Sequence, residues 1–332
     1  MPSPVRFGLI GAGTVADYGH MPALTSLPDT ELVLVADISE ANLARAKDRF
    51  GVEGVLDYRA LLARDDIEAV SICTPADAHR EIAEAAITAG EAVLCEKPLA
   101  HTIADVRAIA DAARRAGCIF AVDLHRRMTK RCQAVREAVA RGEIGELQIM
   151  RFVMDWACHG IEGPDGERRA RFMRVGGPML DNGVHFFDSV RWYSGAEVAS
   201  VVAQGQWVEP QFEFPGHVVA LARMTNGVLA MVEMSFVYGH TVPADARPSI
   251  SNEELIGADG VITSSHIYNH RGATPLPPEQ GKQFSAVYAE FARCVRADTM
   301  EASPLATAED GAQATEASLA AIEDAMRRRG AP

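Results

Sequence analysis

Short apolar runs alternate with stretches of helical periodicity through the first third of the chain. Val5–Ile10, Leu32–Asp37, Val52–Leu56, Ala69–Cys73, Ala92–Cys95 and Ile119–Val122 read as strands. Between them, Thr14–Leu27, Glu40–Phe50, Tyr58–Ala63, Ala78–Ala89 and Ile103–Ala116 read as helices, the last two stopped by Gly90 and Gly117. Strands spaced by helices build βαβ units with right-handed crossovers, and therefore a parallel sheet.

The pattern changes near residue 123. One more helix, Cys132–Arg141, ends at Gly142, and Leu147–Trp156 then alternates like a half-buried strand. Met179–Tyr193 reads as a helix ending at Gly195. Val198 to Ser264 reads as an antiparallel sheet with hairpin signals at Asn226-Gly227 and Asp259-Gly260. Residues 271–280 read as a Pro/Gly-rich loop, and Gln283–Arg296 and Thr307–Arg329 as closing helices. The expected organisation is an α/β chain with a doubly wound dinucleotide-binding domain over 1–123. An α+β domain over 124–332 follows, with an antiparallel sheet that can leave one face open.

The length of 332 residues is ample for two domains. A net charge of −13 argues against nucleic acid and against an anionic membrane surface. No apolar run approaches the ~20 residues that span a bilayer, and a first strand at Val5 leaves no room for a cleaved signal peptide. The six cysteines are scattered without a C-x-x-C pair, which suggests reduced core thiols and a cytoplasmic location, with no disulfide framework and no metal site. Lysine occurs only at 47, 97, 130 and 282, so Lys97 stands out.

Gly11-Ala12-Gly13-Thr14-Val15-Ala16 fits G-x-G-x-x-A directly after a strand and at the opening of a helix. Gly11 permits the tight turn, Gly13 the close approach of a pyrophosphate, and Ala16 close helix–strand packing. The N–H groups around Thr14 and Val15 face the phosphates. Asp37 ends the second strand, where a carboxylate can take both ribose hydroxyls and repel a 2′-phosphate; this favours NAD over NADP. An N-cap role for Asp37 is the competing reading, although Ser39 could fill it equally well. Thr74-Pro75 ends the fourth strand on the same side.

Lys97 follows the fifth strand and precedes Pro98, so it is aimed at the carboxyl edge of the sheet, where open α/β folds bind ligands. An ion pair with Glu96 or a plain surface lysine is the alternative. Asp181 and His185 are spaced i, i+4 and are expected to share a helix face, with Asp188 about one turn further on. A histidine is the natural acceptor of an alcohol proton. Asp181 could instead complement the helix dipole in the first turn, and Asp188 could pair with Arg191. The arginines at 168, 169, 171 and 174 read as a solvated charged face, or as lining of a substrate pocket.

These pieces together resemble the Gfo/Idh/MocA oxidoreductase family. The resemblance is carried by the glycine fingerprint at 11–16, Ile72-Cys73-Thr74-Pro75 with His79, Glu96-Lys97-Pro98, and Gly176-Gly177 leading to Asp181 and His185. It implies NAD(P) binding with contributions from Thr74, Pro75, His79, Glu96 and Lys97. It further implies that Lys97 contacts the reacting hydroxyl, that Asp181 assists and that His185 is the acid/base. Arg127, Asp155, His159 and Asp188 are the further substrate-contact candidates. The family often carries asparagine where this chain has His125. A Rossmann domain, and a second domain whose large, mostly antiparallel open sheet forms dimer or tetramer contacts, are also implied.

The expected activity is reversible hydride transfer between nicotinamide and a secondary alcohol of a sugar, inositol or related cyclic polyol. A nucleotide sensor without catalysis and an enzyme that recycles bound NAD are the alternatives. His159, Glu162, Asp181 and His185 do not show spacing that demands a metal.

Overall fold

The computed structural model describes residues 3–155, 163–236 and 250–330. In chain order the first elements are β1 (Val5–Ile10), a helical run whose π turn covers Ala16–His20, α1 (Met21–Ser26), β2 (Thr30–Ala36), α2 (Glu40–Phe50), β3 (Gly54–Val55), α3 (Tyr58–Leu62), β4 (Ala69–Ile72), α4 (His79–Ala89), β5 (Ala92–Cys95), α5 (Ile103–Ala116) and β6 (Phe120–Val122). A 3₁₀ turn, His125–Met128, precedes α6 (Lys130–Ala140), β7 (Leu147–Asp155), α7 (Gly163–Met173), α8 (Gly177–Asp181) and α9 (Gly183–Ser194). Then come β8 (Val198–Gln206), β9 (His217–Met224), β10 (Leu229–Ser235), β11 (Ile250–Gly257), β12 (Gly260–Ile262), β13 (His266–Asn269), β14 (Gly272–Pro275), α10 (Phe284–Ala297), β15 (Ala306–Thr307) and α11 (Ala308–Arg327).

The chain forms two compact units, Met1–Met128 with Gly281–Ala312, and Thr129–Gln280 with Gln313–Pro332. In the first unit the strand order is β15-β6-β5-β4-β1-β2-β3, parallel except for β15. Read from β3 to β6, this is the 3-2-1-4-5-6 order of a dinucleotide-binding sheet, and the order reverses between β1 and β4. Helix ends follow local chemistry. Ser39 and Thr102 cap α2 and α5 through side-chain oxygens, and Gly51 and Gly117 end them in the left-handed region.

The return of residues 281–312 to the first unit differs from a single cut at 123/124. Its cause is packing. Phe284, Val287, Tyr288 and Phe291 of α10 are buried in the same core as Val5, Phe7 and Leu9 of β1, and Tyr288 meets the Phe7 ring edge-on at 5.5 Å. Burying each such aromatic contributes roughly 1.5–3 kcal/mol.

The second unit carries an eight-stranded sheet, β14-β13-β12-β11-β7-β10-β9-β8, antiparallel except for the parallel pair β7–β10. Alternation divides it into two faces. Met150 and Phe152 of β7 and Ala230, Val232 and Met234 of β10 are buried on one face, where Phe152 packs on Phe186 of α9 at 5.3 Å. The other face holds Arg151, Val153 and Asp155 of β7 and Met231, Glu233 and Ser235 of β10. Gly272–Pro275, expected as loop, is the edge strand β14. All four residues are exposed, so it has no apolar face to betray it. Met179–Tyr193, expected as one helix, is broken at Asn182 into α8 and α9.

Candidate functional site

The cofactor end of the first unit is built where β1 and β4 diverge. Gly11 has φ +95°, and a Cβ there would lie 2.7 Å from the Thr74 backbone nitrogen. Only glycine tolerates both the conformation and the approach. At Gly13 an added Cβ meets nothing within 4 Å, so the turn is open on that side. The helical run starts at Thr14 and presents its N-terminus to that space. The Thr74 hydroxyl at the end of β4 is buried without a hydrogen-bond partner. An open turn, a helix N-terminus and an orphaned donor together fit a dinucleotide.

Asp37 is half-buried. Its Oδ2 accepts from the Ala12 backbone N–H at 2.7 Å and its Oδ1 from Ser39 N–H at 2.8 Å. Ser39 is the N-cap of α2, so the capping alternative for Asp37 falls away. Asp37 braces the glycine turn with acceptor capacity left over. Arg45, which no sequence motif marks, also supports the turn. Its Nη2 donates to the Ala12 carbonyl and to Asn42 Oδ1, both at 2.9 Å, and its Nε pairs with Asp17 at 3.3 Å.

The family resemblance assigns His79 to the cofactor. The structure buries it at 1% exposure, with Nε2 2.9 Å from the Thr74 carbonyl and Nδ1 3.2 Å from that of Leu99. It therefore ties the loop after β4 to the loop after β5. Burial lowers its pKa, and a neutral ring donates to one carbonyl at a time.

Lys97 leaves β5 through a cis bond to Pro98 and is partly exposed. Its backbone N–H donates to Glu96 Oε2 at 3.0 Å. The other Glu96 oxygen, Oε1, is 2.8 Å from Nε2 of His20, the residue on which the π turn ends. His20 Nδ1 is 2.8 Å from the Tyr288 hydroxyl, which is 2.5 Å from Ser71 Oγ. Asp123, at the end of β6, places Oδ2 3.9 Å from His20 Nε2, and neither of its buried oxygens has a hydrogen-bond partner.

Burial works against charge on all three titratable groups of this cluster. At Glu96 the hydrogen bond and charge of His20, with Lys97 and Lys282, overcome burial and hold the carboxyl at about 2. At Asp123 burial and the Glu96 charge dominate and push it up to about 7. His20 is raised: burial alone would lower it, and the hydrogen bond to anionic Glu96 favours the charged ring. Cys73 and Tyr288 are themselves pushed up by burial and stay neutral, so Glu96 is the anion that balances the imidazolium. These residues are 76 and 268 positions apart along the chain, and only the fold brings them together.

Arg127, expected at substrate, is buried and pairs with Asp310 at 3.2 Å. A buried guanidinium requires such a carboxylate, and Asp310 also accepts from the Thr307 N–H at 3.0 Å.

In the second unit, Asp181 ends α8 and His185 lies in the first turn of α9, so they do not share one continuous helix face, and Asp181 is not in a first turn. Gly183 at the junction permits close approach, since a Cβ there would lie 2.5 Å from Met179 Sδ. Asp181 and His185 are both buried, and Asp181 Oδ2 accepts from Asn182 Nδ2 at 3.1 Å. Asp188 is fully enclosed, and Arg191 forms a two-pronged pair with Glu197 at 2.6 and 2.8 Å. Asp155 is on the sheet face opposite the one that α9 covers, by the parity of β7. The structure therefore does not bring it to the face of Asp181 and His185. Arg169 is not part of a solvated face. It is buried against Glu209 and donates to the Phe236 carbonyl at 3.3 Å. Arg171 and Arg174 are exposed, as a charged face requires. His159, Glu162 and the Arg168 side chain lie outside the described residues.

Residues 5–124 match an oxidoreductase family with an NAD-binding Rossmann fold, and residues 132–262 match the Gfo/Idh/MocA C-terminal domain. A D-glucoside 3-dehydrogenase of Escherichia coli is 30% identical, over 80% of this chain and 79% of its own length. A myo-inositol 2-dehydrogenase of Thermotoga maritima is 29% identical, over 85% and 80%. A crystal structure of an oxidoreductase domain protein from Kribbella flavida superposes with a TM-score of 0.82 at 26% identity, covering 99% of this chain and 98% of that one.

Proposed function

Because the chain belongs to the Gfo/Idh/MocA oxidoreductase family, we propose that it transfers hydride reversibly between NAD and a secondary alcohol of a sugar, an inositol or a related cyclic polyol. The observation that carries this reading is the carboxyl edge of the parallel sheet. There the open turn at Gly13, the orphaned Thr74 hydroxyl and the braced Lys97 backbone meet the needs of a dinucleotide enzyme. Asp37 supports NAD over NADP, because its carboxylate would accept ribose hydroxyls and repel a 2′-phosphate.

When bound, the nicotinamide supplies the hydride acceptor. Lys97 Nζ is assigned to the reacting hydroxyl, where an ammonium stabilises developing negative charge on oxygen. His185 is assigned as the base that takes the hydroxyl proton, since imidazole exchanges protons near neutral pH. Asp181 is assigned to hold the hydroxyl and to tune His185. Lys97 belongs to the first unit and the other two to the second, so these assignments rest on family membership and residue type. The sheet face opposite α9 exposes Val202, Leu221 and Ile250, which supports contact between copies of the chain; light scattering on the purified protein tests this. The five described cysteines are unpaired, which fits a reducing compartment.

Absorbance at 340 nm, with NAD and NADP in parallel across sugars, inositols, anhydrosugars and sugar acids, tests the activity. Turnover with NAD preferred supports the reading. Confirmed NAD binding with no turnover on any member, and no exchange of bound cofactor, refutes it in favour of a sensor.

A further inference from the structure

The outer face of the second unit's sheet holds a cluster that the dehydrogenase reading does not use. Asp155, His217 and Glu233 each direct one potential ligand atom toward the others, all within 4.8 Å. The register explains the convergence. Ser235 of β10 pairs with Asp155 of β7 on one side and with His217 of β9 on the other, while Glu233 precedes Ser235 by two residues on the same face. Two flanking strands thus supply donors at one level, and the strand between them supplies a third one step back.

Two further observations point to a missing ligand. Asp155 is only 8% exposed, and its Oδ1 is buried without a hydrogen-bond partner. Leaving such an acceptor unsatisfied is costly, more so for a carboxylate than for a neutral group. Among the described residues no lysine or arginine pairs with Asp155 or Glu233. The nearby Arg151 is committed to Glu254 at 2.6 Å, and Glu233 has only His217 Nε2, at 3.2 Å. Two carboxylates and one imidazole offer three donor atoms to one centre.

We propose that Asp155, His217 and Glu233 form a binding site for one divalent transition-metal cation, with zinc or manganese as its chemical class. One nitrogen and two oxygen donors suit both ions. Ligand atoms at ~2.1 Å from a metal lie about 3–4 Å apart, so modest side-chain rotation from the present separation closes the site. Three protein ligands leave positions for water.

The test is equilibrium dialysis of the full chain, first stripped with chelator and freed of it, against ZnCl2 and separately MnCl2. The wild type is expected to bind one equivalent, and to gain thermal stability with bound metal. His217→Ala and Asp155→Asn are each expected to weaken binding at least tenfold and to abolish the thermal gain, while His266→Ala leaves both unchanged. Asp155→Asn keeps size and shape, so it decides the matter if His217→Ala does not fold. No stoichiometric binding by the wild type, or equal affinity in the Asp155→Asn and His266→Ala proteins, overturns the site. Neither readout depends on turnover, so failure of the dehydrogenase reading would leave this result intact.

Discussion

Two clusters in this molecule each contain one histidine and two carboxylates, and the fold treats them differently. His20, Glu96 and Asp123 are enclosed at the carboxyl edge of the parallel sheet, and both ring nitrogens of His20 are engaged, by Glu96 and by Tyr288. Asp155, His217 and Glu233 lie on a sheet face where His217 and Glu233 keep about a quarter of their side-chain surface exposed. The first cluster has its cation built in, as the His20 imidazolium, and spends its hydrogen bonds on holding the strand end that presents Lys97. The second has an unsatisfied buried oxygen and, among the described residues, no lysine or arginine paired with its carboxylates. Composition is the same; embedding decides whether such a group is structural or open to a ligand.

The largest effect expected from breaking this contrast is at His20. His20→Ala leaves Glu96 and Asp123 buried together without their counter-charge, and removing one member of a buried ion pair costs about 3–5 kcal/mol. Urea unfolding followed by circular dichroism checks this. A loss under ~1 kcal/mol would mean that the cluster is not the buried ion pair described.

Asp123 sharpens the contrast through pH. It titrates at about 7 in the folded protein and at ~3.9 when unfolded. Between those values the folded state keeps a proton that the unfolded state has released. The contribution of Asp123 to stability therefore falls as pH rises from about 4 to about 7, and stays low above that. Asp123→Asn is expected to remove this slope, gaining on the wild type by up to a few kcal/mol from pH 5 to pH 8. Unfolding curves at those two pH values give the difference, and an equal offset at both would contradict it.

The smallest effect belongs to the second cluster. Without metal, His217→Ala removes only a part-exposed pair with Glu233, so metal-free stability is expected to change by less than about 1 kcal/mol. A loss as large as that of His20→Ala would make the two clusters alike.

Much of the first unit was legible because its signals are local. Glu40–Phe50, Ala92–Cys95 and Ile103–Ala116 were placed to the residue, since capping side chains and terminal glycines mark the two helices and an unbroken apolar run marks the strand. The glycine turn after β1 was legible for the same reason. The partners of Glu96 were not, because His20 and Tyr288 reach it from remote parts of the chain. The return of α10 was hidden because an amphipathic helix does not name the sheet it covers. The break at Asn182 was hidden by an i, i+4 pattern that continues across it. The face of Asp155 was available: counting alternate residues along β7 from Phe152 puts it with Arg151 and Val153.

The central claim is hydride transfer assisted by Lys97. The most direct measurement uses the active alcohol deuterated at its carbinol carbon, with mass spectrometry of the reduced nicotinamide from wild type and from Lys97→Ala. One deuterium per reduced nicotinamide, with a rate in the variant lower by at least ~100-fold and NAD binding retained, is the predicted result. Reduced nicotinamide without deuterium, or wild-type rates in Lys97→Ala, would contradict the account.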